Sequence, residues 1–253
     1  MHRRKHKPYV FIVLAVIAAV GFMTWQDMQK IADKNIARLK LAQYVYAADD
    51  PQAIPANRLP LYLEAGTIVS DGETGETVFS PAITPQTVAQ REINLITKID
   101  HVPASMTGAG DYLTTLAAEW KSKNNILNEL VLDWQVETPD LEKMPVFATM
   151  VAETMKNAQW IGMILQRSWF DDAPESALDM ARRTRAVTSY IFDIDEAARD
   201  GETLADTVAA LNKLNISFLL IVDTLPERGA LSDLSGENDF FNGFILHERL
   251  PAR

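Results

Sequence analysis

The sequence predicts an α/β protein: a (β/α)8 TIM-like barrel preceded by one N-terminal transmembrane helix. Three observations carry that expectation. Short apolar runs alternate with helical patterns of ten or more residues, the signature of right-handed βαβ units on a parallel sheet. The runs are continuously apolar rather than alternating, as in strands covered on both faces. Eight such runs can be counted, the number that closes a barrel. A doubly wound sheet is the competing arrangement. No Gly-rich dinucleotide or phosphate loop follows any run, and "TGAGD" (Thr107 to Asp111) lacks the third glycine and reads as a helix entry.

The elements follow in chain order. "MHRRKHKP" (1–8) is basic and reads as a cytoplasmic tail. "YVFIVLAVIAAVGFMTW" (9–25) carries no charge, and at 1.5 Å per residue it makes about 25 Å of helix, the short end of a membrane span. Basic residues before a span keep that end inside. The expectation is therefore a single-pass inner-membrane protein whose C-terminal domain lies on the extracytoplasmic (periplasmic) side. A cleaved signal peptide is the alternative, with Ala18, Ala19 and Gly21 as small residues for a peptidase. Residues 26–43 have mixed charge and read as a helical stalk; 44–253 form the barrel domain.

Within that domain the expected strands are Tyr44 to Asp49, Leu61 to Gly66, Glu92 to Asp100, Asn128 to Gln135, Trp160 to Gln166, Thr188 to Asp195, Ser217 to Asp223 and Phe241 to Glu248. The expected helices are Asp111 to Asn124, Met144 to Ala158, Pro174 to Ala186 and Glu202 to Asn215. Pro145 falls near a first turn, where its missing N–H is tolerated. "DDPQAIPANRLP" (49–60) is a proline-rich loop, and Gly72 and Gly75 mark a small hairpin.

Composition bounds the function. With no cysteine, the chain has no disulfide, thiolate metal site or cysteine nucleophile. The net charge is −10, and Arg3, Arg4, Lys5 and Lys7 concentrate basic charge in the tail. An acidic domain argues against a nucleic-acid partner, which needs basic stripes. His101 and His247 neighbour acids but lack a spaced metal motif, so neither a metal nor another cofactor is expected. No G-x-S-x-G elbow marks a serine hydrolase.

In barrels of this class, function sits at the C-terminal strand ends. Here those ends carry Glu64, Asp100, Asp133 with Trp134 and Gln135, Gln166 with Arg167, Asp193 with Asp195, Asp223, and Glu248 beside His247. Carboxylates bond hydroxyls and supply acid or base, and aromatic rings stack on sugars. Helix capping and pairing with arginine are the competing roles for each acid.

The stretch "NELVLDWQ" (128–135) resembles the fourth-strand signature of family 18 glycoside hydrolases, the chitinases, D-G-x-D-x-D-W-E. Asn128 stands at the first Asp, Val131 at the middle one, Asp133 at the last, Trp134 at the common aromatic and Gln135 at the catalytic Glu. "YIFD" (190–193) is similar to the M-x-Y-D end of that family's sixth strand. The chain also looks like a sparsely described family of exported bacterial barrels. Gln135 has no acid proton to give, and general acid help is worth about 10²–10⁴-fold. The resemblance thus implies a glycosidase-like barrel without the family's standard chemistry.

Three functions follow as expectations. The first is a membrane-anchored barrel that binds cell-envelope or exopolysaccharide glycans. Its binding residues would be Glu64, Asp100, Trp134, Gln135, Gln166, Arg167 and Tyr190. The second is an active hydrolase using Asp133, Glu137, Asp193 and Glu248. The third is an envelope scaffold.

Overall fold

The computed structural model describes residues 20–26, 40–45, 60–70, 77–88, 92–103, 105–135, 140–154, 160–172, 174–184, 186–227, 229–230, 234 and 240–248. The chain divides into two compact units. One groups Met1–Leu39 with Pro226–Glu237; the other groups Lys40–Leu225 with Asn238–Arg253.

In the first unit, residues 20–26 are helical (α1) and expose Val20, Phe22, Met23 and Trp25. The indole of Trp25 lies 5.9 Å from the Phe22 ring. Among the described residues no helix is long and apolar enough to cross a membrane. Residues 9–19 of the expected anchor, and most of the expected stalk, lie outside the described residues.

The second unit is α/β, as expected. Its elements are β1 (Lys40–Val45), β2 (Leu61–Ser70), β3 (Thr77–Pro81), β4 (Glu92–Ile99), α2 (Met106–Ser122), β5 (Ile126–Trp134), α3 (Lys143–Thr154), β6 (Trp160–Ile164), α4 (Arg167–Asp172), α5 (Pro174–Arg183), β7 (Val187–Asp193), α6 (Ile194–Ala197), α7 (Leu204–Asn212), β8 (Phe218–Val222) and β9 (Phe241–Glu248). The parallel pairings run β1–β2–β4–β5–β6–β7–β8–β9 and return to β1, so eight strands form a closed ring. β3 lies outside that ring, antiparallel to β2, with Val69 opposite Val78. It completes the hairpin that Gly72 and Gly75 signal.

Several bounds differ from expectation for local reasons. The first strand already begins at Lys40 and is described over Lys40–Val45, because the pairing Lys40↔Gly243 recruits residues whose sequence reads as helix; 46–49 of the expected run lie outside the described residues. The run 188–195 stops at Asp193, whose side chain accepts a hydrogen bond from Asp195 N and opens α6. Two short helices, α4 and α6, were not expected. Among the described residues helices connect β4 to β5, β5 to β6, β6 to β7 and β7 to β8, whereas β2 reaches β4 through β3 and an irregular stretch.

Strand β8 is buried along its whole length, β4 nearly so and β5 from Glu129 to Trp134, as continuous apolar runs require. Outside the ring, α2 buries Ala109, Leu113, Leu116, Ala117 and Trp120, one stripe at helical spacing. Ser105 caps its start by accepting from Gly108 N, and Asn124, at φ 61°, ends it. Thr203 and Asp206 form a capping box on α7. Inside the ring, Tyr62, Ile96, Val131, Ile164, Ile191, Leu219, Ile221 and Ile245 form an apolar plug drawn from seven strands. The register slips at Ala65, Asn128, Thr188 and Asn242, each an extra residue in its strand. Such bulges bend and twist a strand, which a closed sheet needs.

Candidate functional site

Side chains alternate along a strand, so residues two positions beyond the plug share its inward face. At the C-terminal ends these are Glu64, Lys98, Asp133, Asp193 and His247, and Asp223, immediately after β8, meets His247 there. A polar layer therefore lies directly over an apolar floor, at the ring's mouth.

The layer has two sectors. On β2, β4 and β5, Lys98 Nζ sits 3.0 Å from Glu64 Oε2. Lys98 is also the register partner of Asp133. Asp133 is only 4% exposed and accepts a 2.8 Å hydrogen bond from Gln135 Nε2. The Lys98 ammonium thus offsets part of the cost of burying the Glu64 carboxylate, and the Gln135 amide does the same for Asp133. Gln135 is exposed, held by its backbone N–H on Ile99 O at 2.8 Å.

On β7, β8 and β9, His247 Nδ1 lies 3.1 Å from Asp223 Oδ1. Asp193 is half-buried at the adjoining strand end. Burial raises its pKa above the ordinary carboxylate value; the Asp195 N–H bond opposes this, the negative charges of Asp195 and Asp223 add to it, and His247 counters. The last two influences place the three strand ends within electrostatic reach of one another.

The remaining expected residues go elsewhere. Trp134 is 1% exposed and points outward, edge-on to Phe147 of α3 at 5.7 Å. Tyr190 is 6% exposed and donates its hydroxyl to Ala181 O at 2.8 Å, so burial lifts its pKa to about 12. Both follow from parity: each adjoins an inward residue and faces the helices. Neither presents a ring to the mouth, which corrects the expected sugar-stacking role. Arg167 opens α4 and is committed to Glu202 and Ala197 O. Asp100 pairs with the exposed His101 at 3.4 Å. Gln166 accepts from Trp169 N through its carbonyl. Glu137 lies outside the described residues, as does the side chain of Glu248, whose backbone pairs with Val45.

Lys98, Asp223 and His247 join the site without having been among the expected binding or catalytic residues. The signal for Lys98 was in the sequence: counting by twos from the apolar centre of "EINLITKID" places it inward. Among the described residues no group of three or more His, Asp or Glu is placed to hold a metal ion. No family model matches this chain, nor does any curated protein or solved structure.

Proposed function

We propose that the mouth of a (β/α)8-type barrel here binds a neutral, hydroxyl-rich ligand, a cell-envelope or exopolysaccharide glycan. The barrel is held at the inner membrane by residues 9–25 and faces the periplasm. The observation that carries the reading is the polar layer over the apolar plug. Glu64, Lys98, Asp133 and Gln135 offer acceptors and donors side by side, the chemistry that vicinal hydroxyls require. The layer's acids outnumber its cations, which disfavours phosphorylated or carboxylated polymers and nucleic acids.

The chemistry of the chitinases that the sequence resembles does not transfer. Val131, at the middle acid's position, belongs to the apolar plug, and Gln135 is an amide with no acid proton to give, one of its N–H groups already on Asp133. The exposed Val20, Phe22, Met23 and Trp25 are consistent with the anchor, because an apolar surface of that kind is costly in water.

The test is direct. Full-length protein in detergent is titrated with neutral, amino-bearing and acidic oligosaccharides. Neutral glycans are expected to bind, and Lys98→Met is expected to weaken binding about tenfold, the loss of one charge-assisted hydrogen bond. Failure of every glycan to bind refutes the reading and leaves the envelope scaffold. Carbonate washing of membranes tests the anchor; release of a shortened soluble chain refutes it.

A further inference from the structure

We infer that one buried water is built into the wall of the barrel, held by the Tyr112 hydroxyl of α2, the Thr97 hydroxyl of β4 and the Ser80 carbonyl of β3. The inference is independent of the glycan reading.

Two buried hydroxyls point to it. Thr97 is 1% exposed, and its Oγ1, shut off from solvent, has no hydrogen-bond partner among the described residues. The same holds for the hydroxyl oxygen of Tyr112. Leaving a buried hydroxyl unbonded lowers a folding equilibrium constant about tenfold or more. Almost all such groups are therefore bonded, either to protein or to ordered water.

The two hydroxyls meet at Gly66. A Cβ placed on Gly66 would come under 3.0 Å from both the Tyr112 hydroxyl oxygen and Ser80 O. Lying that close to one point, these two oxygens are less than about 6 Å apart, yet they make no hydrogen bond. One water with two bonds of about 2.8 Å spans such a gap. Thr97 is the register partner of Gly66 on β4. Its side chain faces outward, because its strand neighbours Ile96 and Lys98 face inward to the plug and to Glu64. Neighbouring strands lie about 4.8 Å apart, so Thr97 borders the same spot.

The surroundings fix the phenol there. Tyr112 stacks on Phe79 of β3 with ring centroids 5.0 Å apart and planes at 18°, and Gly66 carries no side chain to displace the hydroxyl. Burial, then the negative charge of Glu119, raise the Tyr112 pKa, so the group keeps its proton. A buried water makes about three hydrogen bonds. Ser80 O accepts one, and each hydroxyl can donate or accept another. All three groups are neutral, which suits water rather than an ion.

The water has a structural consequence for the mouth. β3 lies outside the ring, with β2 as its only strand neighbour among the described residues. Through the water it is also tied to α2 and β4. This steadies the hairpin whose Thr67 stands beside Lys98.

The experiment uses the full chain in detergent and two variants of nearly unchanged shape, Tyr112→Phe and Thr97→Val. Each deletes one bond to the water and should lower the folding equilibrium constant roughly two- to tenfold in denaturant titrations. The double variant should lose less than the product of the two, because both bonds run to one water. A crystal structure of the wild-type chain should show one solvent oxygen within about 3.2 Å of all three groups. Unchanged or increased stability in either variant overturns the inference, since a dry, unbonded hydroxyl is better removed. Effects that simply multiply overturn it too. So does a crystal structure in which Tyr112 bonds Ser80 O directly, with no solvent oxygen between them.

Discussion

Arg167 grips Glu202 with both arms of its guanidinium: Nη1 to Oε2 at 2.5 Å and Nη2 to Oε1 at 3.0 Å, with Nη1 also donating to Ala197 O at 2.6 Å. Glu202 accepts further bonds from Arg199 N and Thr207 Oγ1. The first turn of α4 is thereby tied to the segment after α6. A bidentate pair with satisfied neighbours is the geometry in which an ion pair stabilises.

That pair predicts acid sensitivity. The Arg167 hydrogen bond, above all, holds the Glu202 pKa at about 2, below its ordinary 4.5. A depressed carboxylate stabilises the fold fully above its unfolded pKa, and the gain disappears as pH falls from there towards 2. Glu202→Gln should therefore lower Tm at pH 7 and shrink the difference from wild type near pH 3. Thermal melts across that range check it; an equal deficit at both pH values would contradict the assignment.

A second prediction concerns the inner floor. Glu129 is 4% exposed yet accepts from Ser189 Oγ at 2.5 Å and interacts with the Tyr62 hydroxyl, whose pKa burial raises. Gly162 makes the room: a Cβ there would lie 3.0 Å from the Glu129 carboxyl carbon and 3.1 Å from Ser189 Oγ. Gly162→Ala should cost about 1–3 kcal/mol through overpacking. Glu129→Ala should cost about 2–4 kcal/mol, from the cavity and the stranded hydroxyls. Denaturant titration measures both; neutral values would mean the network carries no stability.

The fold was legible because continuous apolar runs and helical stripes report burial directly, as in 218–222 and 106–122. The site was legible in part. Strand-end position picks out Asp133, Asp193 and Glu64, but it ignores which way a side chain points. Parity separates Asp133 from Trp134 and Asp193 from Tyr190, and the same parity finds Lys98. Arg167 could not be assigned from sequence, since its partner Glu202 lies 35 residues on. The bulges at Asn128 and Thr188 are likewise set by closure of the ring, not by local propensity.

Trp134 gives a third prediction. Its indole fills the space against Phe147 between β5 and α3. Trp134→Ala should cost about 3–5 kcal/mol, as for other buried aromatics. Trp134→Phe, which keeps a ring there, should leave glycan affinity close to wild type. A large affinity loss in a Trp134→Phe protein of near-wild-type stability would place the ring at the ligand after all.

The last prediction returns to Gln135. By the chitinase resemblance, Gln135→Glu would restore a missing acid. The geometry says otherwise. Gln135 Nε2 donates to the buried Asp133 carboxylate at 2.8 Å, so the substitution replaces a donor with a second acceptor of like charge. Two carboxylates at hydrogen-bond distance cannot both ionise cheaply, and one pKa rises. A raised carboxyl pKa destabilises the fold above that pKa, and the loss is relieved as pH falls through it and the pair shares a proton. Gln135→Glu should thus melt below wild type at pH 8 and approach it near pH 5, with no gain in hydrolysis. Melting curves at the two pH values and a turnover assay on the same preparation decide it. Stability equal to wild type at pH 8, with new activity, would mean that residue 135 swings away from Asp133 and serves the ligand instead.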